Sequence, residues 1–389
     1  MDLKRHFSRT IGRPGAPLHF AAHSHHPWPD VTFEAQQRYW LDSAELLDRK
    51  WDRIFGEVIP KAQRHVAKHL GLPDPTTIAL APNTHSLLLR LLSATPGLPK
   101  HNILATDSEF HSFTRQMDRL REDDLVNIVR VPVEPFATFK DRFIAELKAN
   151  DDWDIVWLSH VFFNSGWINH QAELKEIISA VALRETFVAI DGYHAFMALP
   201  LDLSALAERT FYIAGGYKYA MTGEGACFMH CPPGHGPRPR DTGWYAEFGA
   251  LEQPREGHVA YGPDGSRFAG ATFDPSGLYR LNAVMDWLDE QGLDVAAMTK
   301  RCADLKRYFL TRLDDARLPL SSRSLVVREF ERSGRFFTFR TPDAARIDHA
   351  LSERNIIVDH RGDRLRIGFG IYQDQSDVDR LIDALRQIV

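Results

Sequence analysis

The chain has 389 residues, of which 44% are hydrophobic and 25% charged, which is typical of a globular protein. A net charge of −5 argues against a nucleic-acid-binding surface or a polybasic membrane patch, and no run of 18 apolar residues predicts a membrane span. Three cysteines, Cys227, Cys231 and Cys302, are too few for a disulfide framework, so we expect a cytoplasmic protein that binds neither nucleic acid nor membranes.

Apolar runs alternate with amphipathic runs through the first two thirds of the chain. Short apolar runs bounded by turns predict strands, and a 3.6-residue spacing predicts helices. Strands are predicted at 76–81, 102–106, 125–133, 153–161, 186–191 and 210–216, and helices at 85–94, 112–123 and 172–184. Strands that are apolar throughout are typical of a mainly parallel sheet buried on both faces. The prediction is an α/β domain whose ligands bind beyond the carboxyl ends of the strands.

From about residue 232 the sequence changes to a proline- and glycine-rich connector followed by a different order of elements. Helices are predicted at 278–292, 295–313 and 375–389, and strands at 325–330, 335–341, 356–360 and 365–370. This order predicts a smaller α+β domain. We therefore divide the chain into an N-terminal segment (1–30), a large domain (31–255) and a small C-terminal domain (256–389).

Four features follow the predicted strands of the large domain. Asp191 ends one strand, Lys218 follows the next, Phe110 follows a third, and residues 81–85 join a strand to the first turn of a helix. Each alone is more often structural, as a helix cap, a turn former or a solvated loop residue. Together they supply a phosphate site, an aromatic face, a carboxylate and an amine, which are the groups that hold pyridoxal phosphate.

The stretches "DGYHAF" and "GGYKYAMTGEGACFM" resemble the class V group of fold-type I pyridoxal-phosphate enzymes, and within it the chain is most similar to the kynureninases. The resemblance implies the transferase fold of that group, with a mainly parallel seven-stranded sheet between helices in the large domain. It also implies that Lys218 binds the cofactor aldehyde, that Asp191 pairs with its ring nitrogen and that His194 lies beside both. Further cofactor contacts are implied for Tyr217, Asn83, Thr84, His85, Phe110, Ser112, and Asn164 or Ser165.

Two downstream segments resemble segments that, in this family, reach into the active site of the partner subunit. "DTGWYAEF" points to Trp244 and "FAGATFDP" to Thr272, which implies a homodimer with a shared active site. "DRLRIGFG" resembles the strand that binds the substrate carboxylate, with Arg366 as the arginine. A guanidinium group suits a carboxylate because it donates two parallel hydrogen bonds.

The resemblance implies hydrolytic Cβ–Cγ cleavage of kynurenine, or a close relative, to alanine and an anthranilate-type acid. The substrate-facing segment departs from the family: Ser24 matches, whereas His23, His25 and His26 replace its neighbours, so Ser24 and His25 are candidates for orienting the substrate. The family's aryl-binding stretch is replaced by residues 48–57, where Trp51 is either its substitute or a core residue. The alternative is a class V aminotransferase, or another lyase, that acts on an amino acid.

Two other functions compete. A metal site is suggested by "HSHH" and by Cys227, His230, Cys231 and His235, but the second paired knuckle of a zinc ribbon is missing, and we expect no metal. A cysteine desulfurase of the same class needs a nucleophilic thiol on a mobile loop of the C-terminal domain. The corresponding region, "RLPLSSRSLVV", contains no cysteine, so that activity is not expected.

Overall fold

The structure is a computed structural model that describes residues 2–96, 100–250 and 257–389. The predicted domain boundary between residues 255 and 256 lies outside the described residues. The N-terminal part contains β1 (Leu18–His19), α1 (Val31–Leu46), and α2 (Lys50–Arg53), which continues through a π-helical turn into α3 (Ile59–Leu70).

A seven-stranded sheet organises the large domain. Its strands are β2 (Ile78–Ala81), β3 (His101–Thr106), β4 (Val126–Val131), β5 (Ile155–Ser159), β6 (Phe187–Asp191), β7 (Thr210–Gly215) and β8 (Cys227–His230). The spatial order is β2-β8-β7-β6-β5-β3-β4, and the pairs from β7 to β4 are parallel. Strand β8 runs antiparallel to both β7 and β2. The prediction of a mainly parallel seven-stranded sheet is therefore confirmed.

Helices cover both faces of this sheet. Successive side chains of a strand point to opposite faces, so a strand that is apolar throughout needs cover on both sides. In β6, Val188 and Ile190 pack into one apolar cluster, whereas Phe187 and Ala189 pack into the other. The helices of the large layer are α4 (Thr84–Ala94), α5 (His111–Glu122), α6 (Phe139–Ala149) and α7 (Gln171–Ser179). Helix α8 (Ser276–Glu290) shares the first cluster, although it lies in the range predicted for the small domain.

The C-terminal part has its own apolar core beneath an antiparallel sheet in the order β11-β12-β9. Its elements are α9 (Val295–Asp315), β9 (Phe336–Arg340), α10 (Ala344–Ser352), β10 (Ile356–Ile357), β11 (Asp359–Arg361), β12 (Arg364–Gly368) and α11 (Gln375–Ile388). The prediction of a strand at 325–330 is wrong. That segment makes one bridge, from Leu325 to Phe339, and then turns into a short 3₁₀ helix.

The N-terminal segment bridges the two cores. Strand β1 pairs in parallel with β10, and Leu18 and Phe20 are buried in the C-terminal core. A few residues later the backbone N–H of His26 donates to the carbonyl of Tyr217, at 3.0 Å, in the large domain. Residues 18–26 thus link the small domain to the loop that carries Lys218. Among the described residues, no helix is long and apolar enough to cross a membrane.

Candidate active site

The predicted lysine and aspartate lie at the same edge of the large sheet. Strands β6 and β7 are parallel neighbours, with Asp191 opposite Ile213, so both chains leave the sheet at their carboxyl ends. Strand β7 ends at Gly215, and the turn that follows carries Lys218. The turn is tightly packed, because a Cβ atom on Gly216 would overlap the hydroxyl of Thr222. This topology brings an amine and a carboxylate together at the position where such sheets bind ligands.

Lys218 is buried beneath aromatic rings. Its Nζ lies 4.8 Å from the ring centre of Tyr193 and 5.4 Å from that of Phe110, and it lies 2.7 Å from Nε2 of His194. Burial disfavours the charged ammonium and lowers the pKa of Lys218 to about 7, although the nearby Asp191 opposes the shift. Near neutral pH a large share of this amine is therefore unprotonated, which is the form that attacks an aldehyde and accepts a proton.

His194 is the hydrogen-bond partner of that amine. Burial, together with the charge of Lys218, holds the pKa of His194 well below its usual value, so the ring is neutral. A neutral ring that accepts from Lys218 at Nε2 carries its own proton on Nδ1. Nδ1 is buried without a partner among the described residues. Such an orphaned polar atom is the kind of group that a bound ligand satisfies.

Asp191 has one carboxylate oxygen available for a ligand. Its Oδ1 accepts the backbone N–H of Tyr193 at 2.9 Å, whereas Oδ2 has no hydrogen-bond partner in the part of the chain that the structure describes. Burial raises the pKa of Asp191, and the Tyr193 N–H and the charge of Lys218 counter that effect. A free oxygen near a reactive amine fits the ring nitrogen and the aldehyde of pyridoxal phosphate.

The N-terminus of α4 fits the phosphate group. Asn83 caps this helix, because its side chain accepts the backbone N–H of Ser86 at 2.8 Å. The backbones of Thr84 and Gly216 both contact the thiol of Cys227, so the first turn of α4 lies against the turn that leads to Lys218. Unpaired N–H groups and the helix dipole favour an anion at such a position. The residues present therefore fit the cofactor.

A cavity opens above Lys218 between the large domain, the small domain and the N-terminal segment. Seven predicted residues line it: Ser24, His25, Phe110, His194, Tyr217, Lys218 and Arg366. His23, Phe163 and Arg361 complete its wall, and sequence reasoning did not assign the last two to the site. A signal for Arg361 existed, since "HRGDRLR" has the glycine-aspartate turn of a hairpin and pairs Arg361 with the strand of Arg366.

Arg366 is buried and held from both sides. Its Nε and Nη2 donate to the carboxylate of Asp359 at 2.7 and 2.5 Å, and its Nη1 donates to the carbonyl of Phe163 at 2.5 Å. His23 adds a contact to the same carboxylate at 3.1 Å. Although burial raises the pKa of Asp359, His23 and Arg366 hold it well below its usual range. Arg366 is thus rigidly positioned, and two of the five guanidinium N–H groups are left for a ligand.

Other predicted residues lie beside the cavity without lining it. His85 and Ser112 line a neighbouring surface groove with Arg115. Asn164 accepts the hydroxyl proton of Ser108 at 2.6 Å, and Ser165 is buried and accepts the backbone N–H of Trp167. Their roles toward a cofactor stay predictions.

Trp244 and Thr272 contact each other instead of Lys218. Nε1 of Trp244 donates to Oγ1 of Thr272 at 2.9 Å. Around Trp244 lies an aromatic cluster formed with Trp51, Phe55, Tyr245 and Phe248. Trp51 packs in this cluster, outside the cavity of its own chain, and the predicted role of Trp244 in a partner's site stays a prediction.

The suggested metal ligands have protein partners. His230 contacts Thr77 and the carbonyl of Ala207, and His235 contacts the carbonyls of Pro233 and Arg184. Within the described ranges, no group of three or more His, Cys, Asp or Glu side chains is arranged to hold a metal ion.

Comparison with known proteins identifies relatives along nearly the whole chain. The isopenicillin N epimerases of Streptomyces clavuligerus and Amycolatopsis lactamdurans are 28% and 26% identical and align over 92% and 84% of both chains. A probable cysteine desulfurase of Vibrio cholerae is 23% identical over 84% of this chain and 82% of its own. These relatives are named epimerases and a desulfurase, not kynureninases, so the predicted class is supported and the predicted subgroup is not.

Solved structures share the fold. A mutant of C-DES with glycine linked to its pyridoxal-phosphate cofactor superposes with a TM-score of 0.82 at 18% identity, over 98% of this chain and 99% of that one. A cysteine desulfurase from Thermococcus onnurineus gives a TM-score of 0.81 at 15% identity, over 100% and 98%. The fold-type I prediction and the pyridoxal-phosphate prediction are both confirmed at the level of the family. The family model for class-V aminotransferases matches residues 27–381, and the chain belongs to that family.

Proposed function

We propose that this protein is a pyridoxal-phosphate-dependent amino-acid epimerase, which removes the proton on Cα and adds a proton on the opposite face, so that the configuration is inverted. The observation that carries the proposal is the pair formed by Lys218 and His194, two neutral bases 2.7 Å apart on the wall of the substrate cavity. Pyridoxal phosphate, when bound, withdraws electrons from Cα and weakens its bond to hydrogen. Proton transfer at Cα then depends on residues of the chain.

Each residue near the cavity has one task in this proposal. Arg366, fixed by Asp359 and Phe163, binds the α-carboxylate of the substrate through its remaining N–H groups. Lys218 in its neutral form accepts the α-proton from its own face of Cα, and the existing hydrogen bond to His194 shares the resulting charge. Inversion is completed by a proton from the solvent, which reaches the opposite face of Cα through the mouth of the cavity beside Ser24 and His25. Burial keeps His194 uncharged and a large share of Lys218 unprotonated near neutral pH, so that share needs to lose no proton to the solvent first.

The relatives support this reaction over the hydrolysis of kynurenine. Two of the curated relatives that align with most of the chain are named isopenicillin N epimerase, a name that describes inversion at a carbon atom. Kynurenine hydrolysis stays a prediction that rests on motif resemblance alone. Aminotransfer stays the alternative, since it uses the same amine and carboxylate.

Cysteine desulfuration has a specific observation against it, although one relative bears that name. That reaction, as class V enzymes carry it out, needs a nucleophilic thiol at the cavity. The three cysteines of the chain are all buried, and none lines the cavity. Burial raises the pKa of Cys227 to about 11 and that of Cys231 to about 12, so both thiols stay protonated.

The test is an exchange experiment in D₂O. The purified holoenzyme is incubated with single L-amino acids, without a keto acid, and the products are followed by proton NMR and chiral chromatography. We expect loss of the α-proton signal together with the appearance of the D-isomer. A Lys218→Ala variant should show neither, and borohydride should link the cofactor to Lys218 in the wild-type protein.

Three other outcomes would each replace the proposal. Release of alanine and anthranilate from kynurenine would restore the hydrolase prediction. Turnover only with an added keto acid would identify an aminotransferase. The third outcome uses a variant in which all three cysteines of the chain are replaced. Release of sulfur from free cysteine by this variant would identify a C–S lyase that needs no protein thiol.

We also propose that the enzyme is a homodimer whose active site takes Trp244 and Thr272 from the partner subunit. In support, both of these residues are exposed, and helix α1 exposes the apolar side chains of Phe33, Trp40 and Leu41. A complementation experiment tests the shared site. The inactive variants Lys218→Ala and Trp244→Ala are mixed and partially denatured so that their subunits exchange, and activity is then measured. Recovery of activity supports a shared site, and a monomer by light scattering would overturn it.

A further inference from the structure

The cavity wall carries more positive charge than one substrate carboxylate requires. Two guanidinium groups, those of Arg361 and Arg366, line it, and His25 lies at its mouth. No carboxylate belongs to the wall among the described residues, since Asp359 lies behind Arg366 and pairs with it. Glu224 approaches the mouth only on the side of His25, at 3.9 Å.

Arg361 is held more loosely than Arg366, by one hydrogen bond and one long ion pair. Its Nη1 donates to the carbonyl of His360 at 2.7 Å, and its Nη2 lies 3.7 Å from Asp359, beyond hydrogen-bond distance. Four of its five N–H groups are therefore free within the part of the chain that the structure describes. Its side chain is 46% exposed, so it can reorient toward a ligand in the cavity.

The hairpin of the small domain fixes the spacing of the two arginines. Asp359 pairs with Arg366 and Arg361 with Arg364 across β11 and β12, so Arg361 stands at the turn end of the hairpin. Arg366 is buried at 3% exposure on the next strand, toward the cavity floor. One guanidinium thus lies deep beside Lys218 and the other at the rim.

We propose that the substrate is an α-amino acid whose side chain carries a second carboxylate, and that Arg361 binds this second carboxylate at the rim of the cavity. The α-carboxylate goes to Arg366, close to the amine that acts on Cα. The side chain then extends toward the mouth, where the free donors of Arg361 meet it. This inference rests on the proposed function, because it names the substrate class for the same site.

The first experiment compares two six-carbon amino acids, 2-aminoadipate and 2-aminohexanoate, which differ in the terminal carboxylate. Exchange of the α-proton in D₂O gives kcat/KM for each with the wild-type holoenzyme, Arg361→Gln and Arg361→Lys. We expect the diacid to be preferred and Arg361→Gln to lower its kcat/KM by about 10- to 100-fold, the worth of a charge-assisted hydrogen bond. The value for 2-aminohexanoate should stay within about twofold, and Arg361→Lys should restore part of the loss.

Arg354→Gln is the matched control, since it removes an exposed arginine of the small domain that lies outside the cavity. It should leave both substrates unaffected. Equal loss for both amino acids in Arg361→Gln, or no preference for the diacid in the wild-type protein, would overturn the proposal.

The second experiment does not depend on turnover. Calorimetry measures the binding of glutarate and of pentanoate to the wild-type holoenzyme, Arg361→Gln and Arg354→Gln. We expect glutarate to bind at least about tenfold more tightly than pentanoate, and only Arg361→Gln to abolish the difference. If no amino acid exchanges its α-proton, the proposed function fails, and this measurement still decides the role of Arg361. Equal affinity for the two acids would contradict it.

Discussion

Two buried lysines of this chain show what separates a reactive amine from a structural one. Lys218 follows β7 in the large domain, and Lys306 lies within α9 in the small domain. Burial lowers the pKa of both to about 7. Lys306 donates to three oxygens, the carbonyl and hydroxyl of Ser333 and the carbonyl of Gly334, at 2.6–3.0 Å. Lys218 has only the ring nitrogen of His194 as a hydrogen-bond partner among the described residues.

A shifted pKa alone therefore does not identify a catalytic group. The amine of Lys306 is saturated by acceptors and closed in by the rings of Phe330 and Phe337, so no ligand can reach it. The amine of Lys218 faces a cavity and has a neutral base beside it. A reactive amine combines a shifted pKa with access to a ligand and with hydrogen-bonding capacity that the protein leaves unused.

The largest expected difference is in turnover. Lys218→Ala should lower the rate of α-proton exchange by about 10⁴-fold, because both the covalent anchor of the cofactor and the base are lost. Lys306→Met should keep a rate within about threefold of wild type, per folded molecule, since its amine only ties α9 to the segment of Ser333 and Gly334. NMR exchange rates, normalised to folded protein by circular dichroism, provide the measurement. Activity lost in the second variant and kept in the first would reverse the comparison.

The partner of the reactive amine should matter next. His194→Gln should lower kcat by about 10²-fold, since the proton relay is removed while Lys218 stays. His230→Gln is the control, because His230 is also buried in the large domain but both its ring nitrogens have protein partners. It should change stability and leave kcat unchanged. Comparable losses of kcat in the two variants would show that His194 acts only through packing.

Lys306 should contribute more to the free energy of unfolding than Lys218 does. Lys306→Met leaves two buried carbonyls and a hydroxyl without their donor, which costs about 2–3 kcal/mol of unfolding free energy. Lys218→Met removes one hydrogen bond and relieves a desolvated amine, so the unfolding free energy should equal or exceed that of the wild-type protein near neutral pH. Urea denaturation of the two apoproteins measures both values, and a reversed order would refute the distinction.

The last difference is a pH dependence of stability and of cofactor uptake. The folded pKa of Lys218 lies below that of the unfolded chain, so between about pH 7 and 10.5 the unfolded state binds more protons and stability rises with pH. Lys218→Met should remove its own share of this rise and leave the share that comes from Lys306. Uptake of pyridoxal phosphate by the apoprotein should also quicken up to about pH 7 and then level off, as the amine loses its proton. A constant rate from pH 5 to 9 would contradict the shifted pKa.

Sequence reasoning located the large sheet well, because strands buried on both faces are apolar throughout. Asp191 and Lys218 could be placed at one edge since each follows such a strand. Residues 18–19 and 356–357 could not be paired, because two-residue strands far apart in the chain have no periodic pattern. The segment 325–330 has strand-like composition but only one bridge, and composition does not show whether a neighbouring strand is free to pair.

The wall of the cavity was harder to predict than its floor. Lys218, His194 and Tyr217 come from one edge of one sheet, so their proximity follows from chain order. Phe163 and Arg361 reach the cavity only because a loop after β5 and the small domain fold over that edge. The pairing of Asp359 with Arg366 follows from the hairpin register, which places them opposite each other.

The N-terminal segment connects the small domain to the turn that carries Lys218. Its first part is a strand of the small domain at β10, and six residues after Phe20 its backbone holds the carbonyl next to Lys218. A displacement of the small domain would therefore be transmitted through residues 18–26 to the peptide that bears Lys218.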